Sequence, residues 1–146
     1  MTIEIRLLGP GDDAALGRVA PDVFDHLINP GWAAEFLNDP RHHIAVAIDD
    51  GVVVGFASGV HYLHPDKAPE LFINEVGVAP THQNQGIGKS VLSALLESGR
   101  AAGCHQAWVG TEGSNSAATR LYASAGGAAP EDFVMFTFPL DQGTEP

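Results

Sequence analysis

The chain has 146 residues, of which 45% are hydrophobic, and its formal net charge of −11 reflects seven Lys and Arg against eighteen Asp and Glu. This length and composition are typical of one compact domain with a sizeable core, and they predict a single domain over residues 1–146. The negative charge disfavours nucleic acid and anionic membranes as partners; it attracts cations, although acidic surfaces also serve solubility alone. No apolar run approaches the roughly 20 residues of a membrane span, and no basic segment followed by an apolar run opens the sequence. We therefore expect a cytoplasmic protein with neither nucleic-acid nor membrane partners.

The cysteine and histidine content gives little support for a metal. Cys104 is the only cysteine, which excludes an intramolecular disulfide and a cysteine metal cluster. The closest histidine pairs are His42–His43 and His61–His64, and no carboxylate completes an obvious ligand set around either. We expect no metal.

The hydropathy pattern predicts a mixed α/β chain with helices on both faces of a sheet that is not purely parallel. A first strand is expected near residues 2–7 and helical structure over 12–37, as two short helices interrupted at Asn29-Pro30-Gly31. Four further elements are a strand at 43–48, a hairpin turn at Asp49-Asp50-Gly51, a strand at 52–62 and a strand at 71–78. The remaining elements are a helix at 86–102 with Gly103 as a left-handed stop, a strand at 106–111, a helix at 114–125 and a final strand at 133–140.

The most informative segment joins a Val-Gly-Val strand end, residues 76–78, to the start of the long helix. Gly86 and Gly88 stand one residue apart at that start, where glycine lets the backbone approach a ligand and the first amide N–H groups lack helical partners. These groups suit a pyrophosphate. The turn lacks the first glycine of the dinucleotide fingerprint and the spacing of a nucleotide P-loop. A glycine-rich corner without a ligand is the alternative.

Two motifs carry a resemblance to a known family. Gln83-x-x-Gly86-x-Gly88, between a Val-Gly-Val strand and an apolar helix, resembles the coenzyme A signature of the GNAT N-acetyltransferase superfamily. The later Asn115-x-x-Ala118-x-x-Leu121-Tyr122-x-x-Ala125-Gly126 is similar to its second signature. Together the motifs cover about half of the chain. They imply an acetyl-CoA-dependent N-acetyltransferase with a GNAT-like fold, in which a mostly antiparallel, twisted sheet of six to seven strands splays at the cofactor site and about four helices flank it.

The resemblance also implies which residues bind acetyl-CoA. The backbone of Val76, Gly77 and Val78 would pair with the pantetheine arm, and the turn would hold the pyrophosphate through Gln83, Asn84, Gln85, Gly86, Ile87, Gly88 and Lys89. Asn115 would contact the arm, although its position also suits a helix N-cap. Tyr122 would lie near the sulfur and donate a proton to it; a core aromatic is the alternative.

Acetyl transfer to an amine requires a base, because simple alkyl amines are protonated at pH 7. Glu75 stands directly before the Val-Gly-Val run, on the strand expected to meet the cofactor. A carboxylate there can take the proton directly or through a water, and it can bind the incoming ammonium. We therefore predict Glu75 as the base, with a solvent-facing surface carboxylate as the alternative.

The strand at 71–78 and the segment at 131–136 are similar to a narrower group, the aminoglycoside 3-N-acetyltransferases of the GNAT type. This likeness implies acidic substrate-binding residues at Glu75 and Glu112. Because an aminoglycoside carries several ammonium groups, we expect Glu70 and Asp132 to bind it as well and Glu131 to line the same cleft. Asp22, Asp25 and Asp39, expected on the N-terminal helices, could add to its wall. Two departures are Glu in place of Asp at position 75 and a different loop length near residues 128–132.

Two other functions stay open from the sequence. One is a GNAT acetyltransferase of another amine, such as a polyamine, an amino acid or a protein N-terminus. The other is a non-catalytic acyl-CoA sensor, which would need neither Glu75 nor Tyr122. Members of the superfamily often pair through strands or the C-terminal segment, so the resemblance also implies a homodimer.

Overall fold

The computed structural model describes residues 2–141, which form one mixed sheet flanked by helices. In chain order its elements are strand β1 (Glu4–Leu7), a 3-10 turn (Asp13–Gly17), helix α1 (Pro30–Asn38), strands β2 (His42–Asp49), β3 (Val52–Tyr62) and β4 (Glu70–Val78), a 3-10 turn (Pro80–His82), helix α2 (Ile87–Ala101), strand β5 (Gln106–Trp108) and helix α3 (Ser116–Ser124). The strands lie in the order β1-β2-β3-β4-β5. Neighbours from β1 to β4 are antiparallel, and β4 and β5 are parallel.

The core lies between the central strands and α2. Strands β2 and β3 are buried along most of their length, as continuous apolar runs require. Helix α2 presents a stripe at helical spacing, and its buried members are Ile87, Val91, Leu92 and Leu95. It ends in a Schellman arrangement, with Gly103 at a φ of +91° and the amide of Cys104 donating to the carbonyl of Gly99. The mixed α/β fold class predicted from the sequence is confirmed.

The predicted N-terminal helices are largely wrong. Between the 3-10 turn and α1 the chain is not helical: Val19 forms a parallel bridge with Val53, and Asp22 has a φ of +64°. Pro21 and this left-handed residue end any helical run. Asn29-Pro30-Gly31, expected to interrupt a helix, instead starts α1, because the Asn29 side chain accepts from the amide of Trp32 at 3.0 Å and Pro30 takes the first helical position.

Element counts also differ from the expectation. The described residues contain five strands rather than six to seven, and three α-helices plus two 3-10 turns rather than about four helices. The final strand expected at 133–140 is not formed, and β5 ends at Trp108 rather than at residue 111. Within residues 2–141, no helix has the length and apolar content needed to cross a membrane.

The early end of β5 opens the sheet. Pairing between β4 and β5 stops after Phe72 and Trp108, whereas β4 continues to Val78. From Ile73 onward, β4 therefore has no strand partner on the side of β5 among the residues that the structure describes. The splayed sheet implied by the resemblance is present, and its gap becomes a cleft.

Candidate active site

A cleft of about 820 Å³ occupies the gap between the diverging ends of β4 and β5. Its walls are residues 74–78 of β4, residues 109–111 after β5, the turn before α2, one face of α3 and a loop that carries Asp22 and Asp25. Twelve of the predicted site residues line it: Glu75, Val76, Gly77, Val78, Gln83, Asn84, Gly86, Ile87, Gly88, Lys89, Asn115 and Tyr122. The fold thus brings the two sequence motifs to one place.

The turn before α2 presents unpaired amide groups to this cleft. Gly86 caps the helix with a φ of +80°, a conformation that glycine adopts without the strain of a Cβ. The first helical bond runs from the amide of Ser90 to the carbonyl of Gly86. The amides of Ile87, Gly88 and Lys89 consequently have no backbone partner among the described residues. These donors and the positive end of α2 form a site suited to phosphate oxygens.

A β-bulge positions Glu75 on β4. Ser58 of β3 pairs with Glu75, whereas the next residue, Gly59, pairs with Ile73, so that Asn74 is the extra residue. The bulge lies where β5 has already left β4, and both Asn74 and Glu75 are exposed to the cleft. Glu75 therefore reaches the open gap.

The surroundings of Glu75 favour a carboxyl group that holds its proton more tightly than usual. Partial removal from water raises the pKa of Glu75, and the negative charge of Asp25 raises it further. His26 opposes the shift. A carboxylate whose pKa lies above its ordinary value is a stronger proton acceptor, which is the property required of a general base.

Helix α3 supplies a further wall of the cleft. Asn115 is its N-cap, because its side chain accepts from the amide of Ala118 at 3.0 Å. Both residues line the cleft, so the capping role and a role in binding coexist. Tyr122 is half-buried on the same helix, and burial raises the pKa of its hydroxyl group. A phenol of raised pKa stays protonated at neutral pH and can donate a proton.

The loop that carries Asp22 and Asp25 lines the cleft, although it is not helical. Two of the three aspartates expected at this wall therefore reach it. The amide of Ala20 donates to the carbonyl of Val53 at 2.9 Å, which ties the loop to β3. Phe24 stacks on Phe56 with ring centroids 3.9 Å apart. The loop also passes so close to β4 that a Cβ at Gly77 would lie 2.5 Å from the carbonyl oxygen of Val23. Gly77 is therefore required by packing as well as by access to a ligand.

Other predicted residues lie outside the cleft lining. Glu70 is at the far end of β4, where β5 is still paired, and its carboxylate lies 2.9 Å from Nε2 of His64. Asp39 pairs with Arg41 beyond α1. Gln85, Glu112, Glu131 and Asp132 are exposed and are not among the lining residues. Conversely, Val109, Gly110 and Thr111 line the cleft, although the sequence predicted them as part of the strand at 106–111. Gly110 is the residue that could have indicated an earlier strand end, because glycine weakens a strand interior.

The sequence profile of the acetyltransferase (GNAT) family matches residues 15–126. The chain belongs to this family. This membership confirms the resemblance seen in the two motifs, both of which fall entirely within the matched residues.

Two relatives are named as an acetyltransferase and an acyltransferase. The chain is 35% identical over 83 residues to an L-methionine sulfoximine/L-methionine sulfone acetyltransferase of Salmonella typhimurium, a match spanning 57% of this chain and 48% of that protein. It is 30% identical over 116 residues to an L-amino acid N-acyltransferase of Escherichia coli, across 70% of this chain and 67% of that protein. The chain thus spans about half of the first relative and two thirds of the second.

Solved structures resemble the whole fold. An aminoglycoside acetyltransferase from an uncultured soil metagenomic sample, in complex with sisomicin, superposes with a TM-score of 0.82 at 20% identity, covering 95% of this chain and 97% of that one. The aminoglycoside acetyltransferase AAC(6')-Iy, in complex with a coenzyme A bisubstrate analogue, gives a TM-score of 0.74 at 21% identity, covering 95% and 99%. At these identities the likeness concerns the fold.

Proposed function

We propose that this protein transfers the acetyl group of acetyl-CoA to a primary amine of a cationic small molecule. The observation that carries the proposal is the arrangement of one cleft, with unpaired helix N-terminal amides at one end and the carboxylates of Asp22, Asp25 and Glu75 along its wall. The first suits a pyrophosphate and the second suits ammonium groups.

The described residues fit acetyl-CoA in two respects. The phosphate turn offers the amides of Ile87, Gly88 and Lys89, and the side chain of Lys89 adds a positive charge at the same place. The edge of β4 from residue 73 to residue 78 offers backbone groups that β5 does not pair. An amide-containing arm can bind along such an edge as an added strand. Acetyl-CoA would supply the activated acetyl group as a thioester.

Glu75 and Tyr122 carry out the proton transfers of the reaction. Glu75 binds the incoming ammonium and accepts its proton, directly or through a water, which leaves the amine able to attack the acetyl carbonyl. Tyr122 donates its hydroxyl proton to the departing thiolate, and it regains a proton from the second one that the nitrogen loses as the amide forms. Both side chains line the same cleft, on β4 and α3 respectively. The chemistry needs no nucleophile from the protein.

Among cationic amines, an aminoglycoside is the substrate class that we favour, with acetylation at the 3-amino group as the specific expectation. Three carboxylates in the cleft wall match a molecule with several ammonium groups. The fold likeness to aminoglycoside acetyltransferases supports this class. The similarity to aminoglycoside 3-N-acetyltransferases in residues 71–78 supports the position.

An amino acid is the second candidate, because the E. coli relative is an L-amino acid N-acyltransferase. An amino acid brings a carboxylate, which would need a cationic partner beside the amine. Lys89 is the only lysine or arginine among the described residues that line the cleft, and it lies at the phosphate turn. The acidic wall would repel such a carboxylate, so this candidate ranks second.

A panel assay tests the proposal. Thiol release from acetyl-CoA is measured with aminoglycosides, polyamines and amino acids, and the acetylated product is located by NMR. Turnover with aminoglycosides at the 3-amino group, abolished in Glu75→Gln, is the expected result. Acetylation at another amine would refute the regiochemistry alone, and turnover only with amino acids would refute the cationic substrate. Coenzyme A binding without any turnover would indicate an acyl-CoA sensor.

A further inference from the structure

Three aromatic side chains, Tyr62, Phe72 and Trp108, form a patch on the part of the sheet where β4 and β5 are still paired. The rings of Phe72 and Trp108 lie with their centroids 4.5 Å apart, and the indole N–H of Trp108 donates to the hydroxyl oxygen of Tyr62. Trp108 is 39% exposed. Phe72 and Tyr62 are half-buried, but neither is among the described apolar residues that pack on the buried core. Core packing therefore does not account for this aromatic patch.

The register of the sheet places the aromatic patch on the same face as Glu75. Phe72 pairs with Val60 and Glu75 pairs with Ser58. Residues 58 and 60 point to the same face of β3, because side chains alternate along a strand, and they are about 7 Å apart. The extra residue in the bulge, Asn74, brings Glu75 back to the face of Phe72. One step of about 7 Å therefore separates the carboxylate from the patch.

Helix α2 covers the opposite face of this part of the sheet. A Cβ at Gly99 of α2 would lie 2.9 Å from Cδ2 of Leu71, which places Leu71 against the helix. Leu71 and Ile73 are both buried, whereas Phe72 between them is not. Phe72 therefore points away from α2.

The aromatic patch begins where the lining of the cleft ends. Trp108 is the residue of β5 that pairs with Phe72, and residues 109–111, which follow Trp108 directly, form a wall of the cleft. A ligand that is held at Glu75 and extends toward the paired part of β4 and β5 consequently meets the patch.

Carboxylates lie on both sides of the aromatic patch. Glu75 is on the cleft side of Phe72, and Glu70, which pairs with Tyr62, is about 7 Å beyond Phe72 in the other direction. The face of an aromatic ring attracts a cation within about 6 Å of its centroid, most strongly in tryptophan. Rings between two carboxylates therefore favour a ligand that combines positive charge with an apolar surface.

We propose that the aromatic patch binds a second ring of a multi-ring cationic amine whose reacting amine lies at Glu75. The step of about 7 Å from Glu75 to Phe72 is comparable with the step from one ring of an aminoglycoside to the next. The C–H groups of the second ring would lie on the indole of Trp108, and its ammonium groups would face the aromatic rings and Glu70. A linear polyamine offers no such flat surface. This inference rests on the proposed function and narrows its substrate to amines with several rings.

Substrate preference tests the aromatic patch. 2-Deoxystreptamine is the one-ring core of gentamicin and carries the 3-amino group, whereas gentamicin adds two rings to it. The unaltered enzyme should have the higher kcat/KM for gentamicin, and Trp108→Leu should lower the ratio of the two kcat/KM values about tenfold, mainly through KM. Trp108→Phe keeps a ring and should restore most of the ratio. Leu7→Ala is the control, because Leu7 is an exposed residue of β1 at the opposite edge of the sheet, and it should keep the ratio.

The outcomes separate this inference from the proposed function. Equal kcat/KM values of the unaltered enzyme for the two amines would overturn the patch as a binding site and leave the proposed function intact. An unchanged ratio in Trp108→Leu would do the same, as would a ratio that falls equally in Trp108→Phe. An unaltered protein that acetylates neither amine would refute the proposed function, and the binding of a second ring with it.

The emission of Trp108 provides a measurement that does not depend on turnover. The chain has two tryptophans, so Trp32→Phe leaves Trp108 as the only one, and Trp32 is itself 73% exposed. Titration of this variant with gentamicin in the presence of coenzyme A should change the emission saturably, whereas 2-deoxystreptamine should leave it unchanged. An emission that gentamicin does not alter at concentrations that saturate turnover would refute the contact. An equal change with both amines would also refute it.

Discussion

Glu75→Gln is the most informative single change, because Gln keeps the size and shape of the side chain and removes only its charge and basicity. A positioned general base contributes about 10²–10⁴-fold to a rate. At about 1.36 kcal/mol per tenfold change, this equals roughly 3–5 kcal/mol of barrier. In the proposed complex the phosphate turn would hold the cofactor through the backbone amides of residues 87–89, which have no backbone partner, and Glu75 would not take part. We therefore expect kcat/KM to fall by this factor while the affinity for coenzyme A is unchanged.

The pH profile gives an independent measure of the same group. Removal from water and the charge of Asp25 raise the pKa of Glu75 above its ordinary value of 4.5. The base must be deprotonated to act, so kcat/KM should rise with pH through this raised pKa. Asp25→Asn removes the repulsion that favours the protonated form, and it should move the acidic limb of the profile to lower pH.

The assay is thiol release from acetyl-CoA at saturating and limiting amine, with coenzyme A affinity measured by calorimetry. Glu97→Gln is the matched control, because Glu97 is an exposed residue of α2 that pairs only with Arg100. The control should retain full activity. A Glu75→Gln enzyme that keeps more than half of its kcat/KM at pH 7, or an acidic limb that does not move in Asp25→Asn, would refute the assignment of the base.

Three further changes test the structure around the cleft. In Gly77→Ala the new Cβ would lie 2.5 Å from the carbonyl oxygen of Val23, so we expect a loss of about 1–3 kcal/mol in unfolding free energy and a raised KM for the amine. In Gly86→Ala a left-handed φ of +80° must be adopted by alanine, which should cost about 1 kcal/mol of stability in denaturant unfolding. Burial and the neighbouring His61 lower the pKa of His43 from 6.5, so the thermal midpoint should fall as the pH decreases below 6.5.

The sign of the histidine prediction follows from proton uptake. With a lowered pKa in the folded state, His43 binds a proton more readily after unfolding, so stability is lost as the pH falls from 6.5 to the lowered pKa and is not regained below it. Its ring nitrogens lie 2.6 Å from Oγ of Ser98 and 2.7 Å from Nδ1 of His61. His43→Asn should flatten the dependence on pH, and an unchanged slope in that variant would contradict the assignment.

The sequence predicted the end of the cleft formed by the turn before α2, because local patterns determine it. A strand, a turn with Gly86 and an apolar helix stripe are all set by residues close together in the chain. The predicted turn residues reached the cleft except Gln85, which is exposed beside it. A helix start built in this way has the same unpaired amides wherever the rest of the chain lies.

The acidic wall of the cleft was harder to predict, since tertiary contacts place it. Asp22 and Asp25 reach the wall only because Val19 bridges to Val53 in a parallel pair, a contact that no local period indicates. Glu70 lies outside the cleft lining for a related reason. The position along β4 at which β5 separates from it decides which carboxylates face the gap, and that position depends on the length of β5.

The segment at 133–140 shows a different limit of sequence reasoning. Its alternating pattern predicts a strand, but a period of two specifies only a pleated strand with one buried face and not the sheet to which it belongs. Within its own chain the segment finds no such face, and its six exposed side chains keep the pattern without the burial that would explain it. The period of two therefore identifies a strand-like segment, whereas the edge that would pair with it is a tertiary property that the period does not contain.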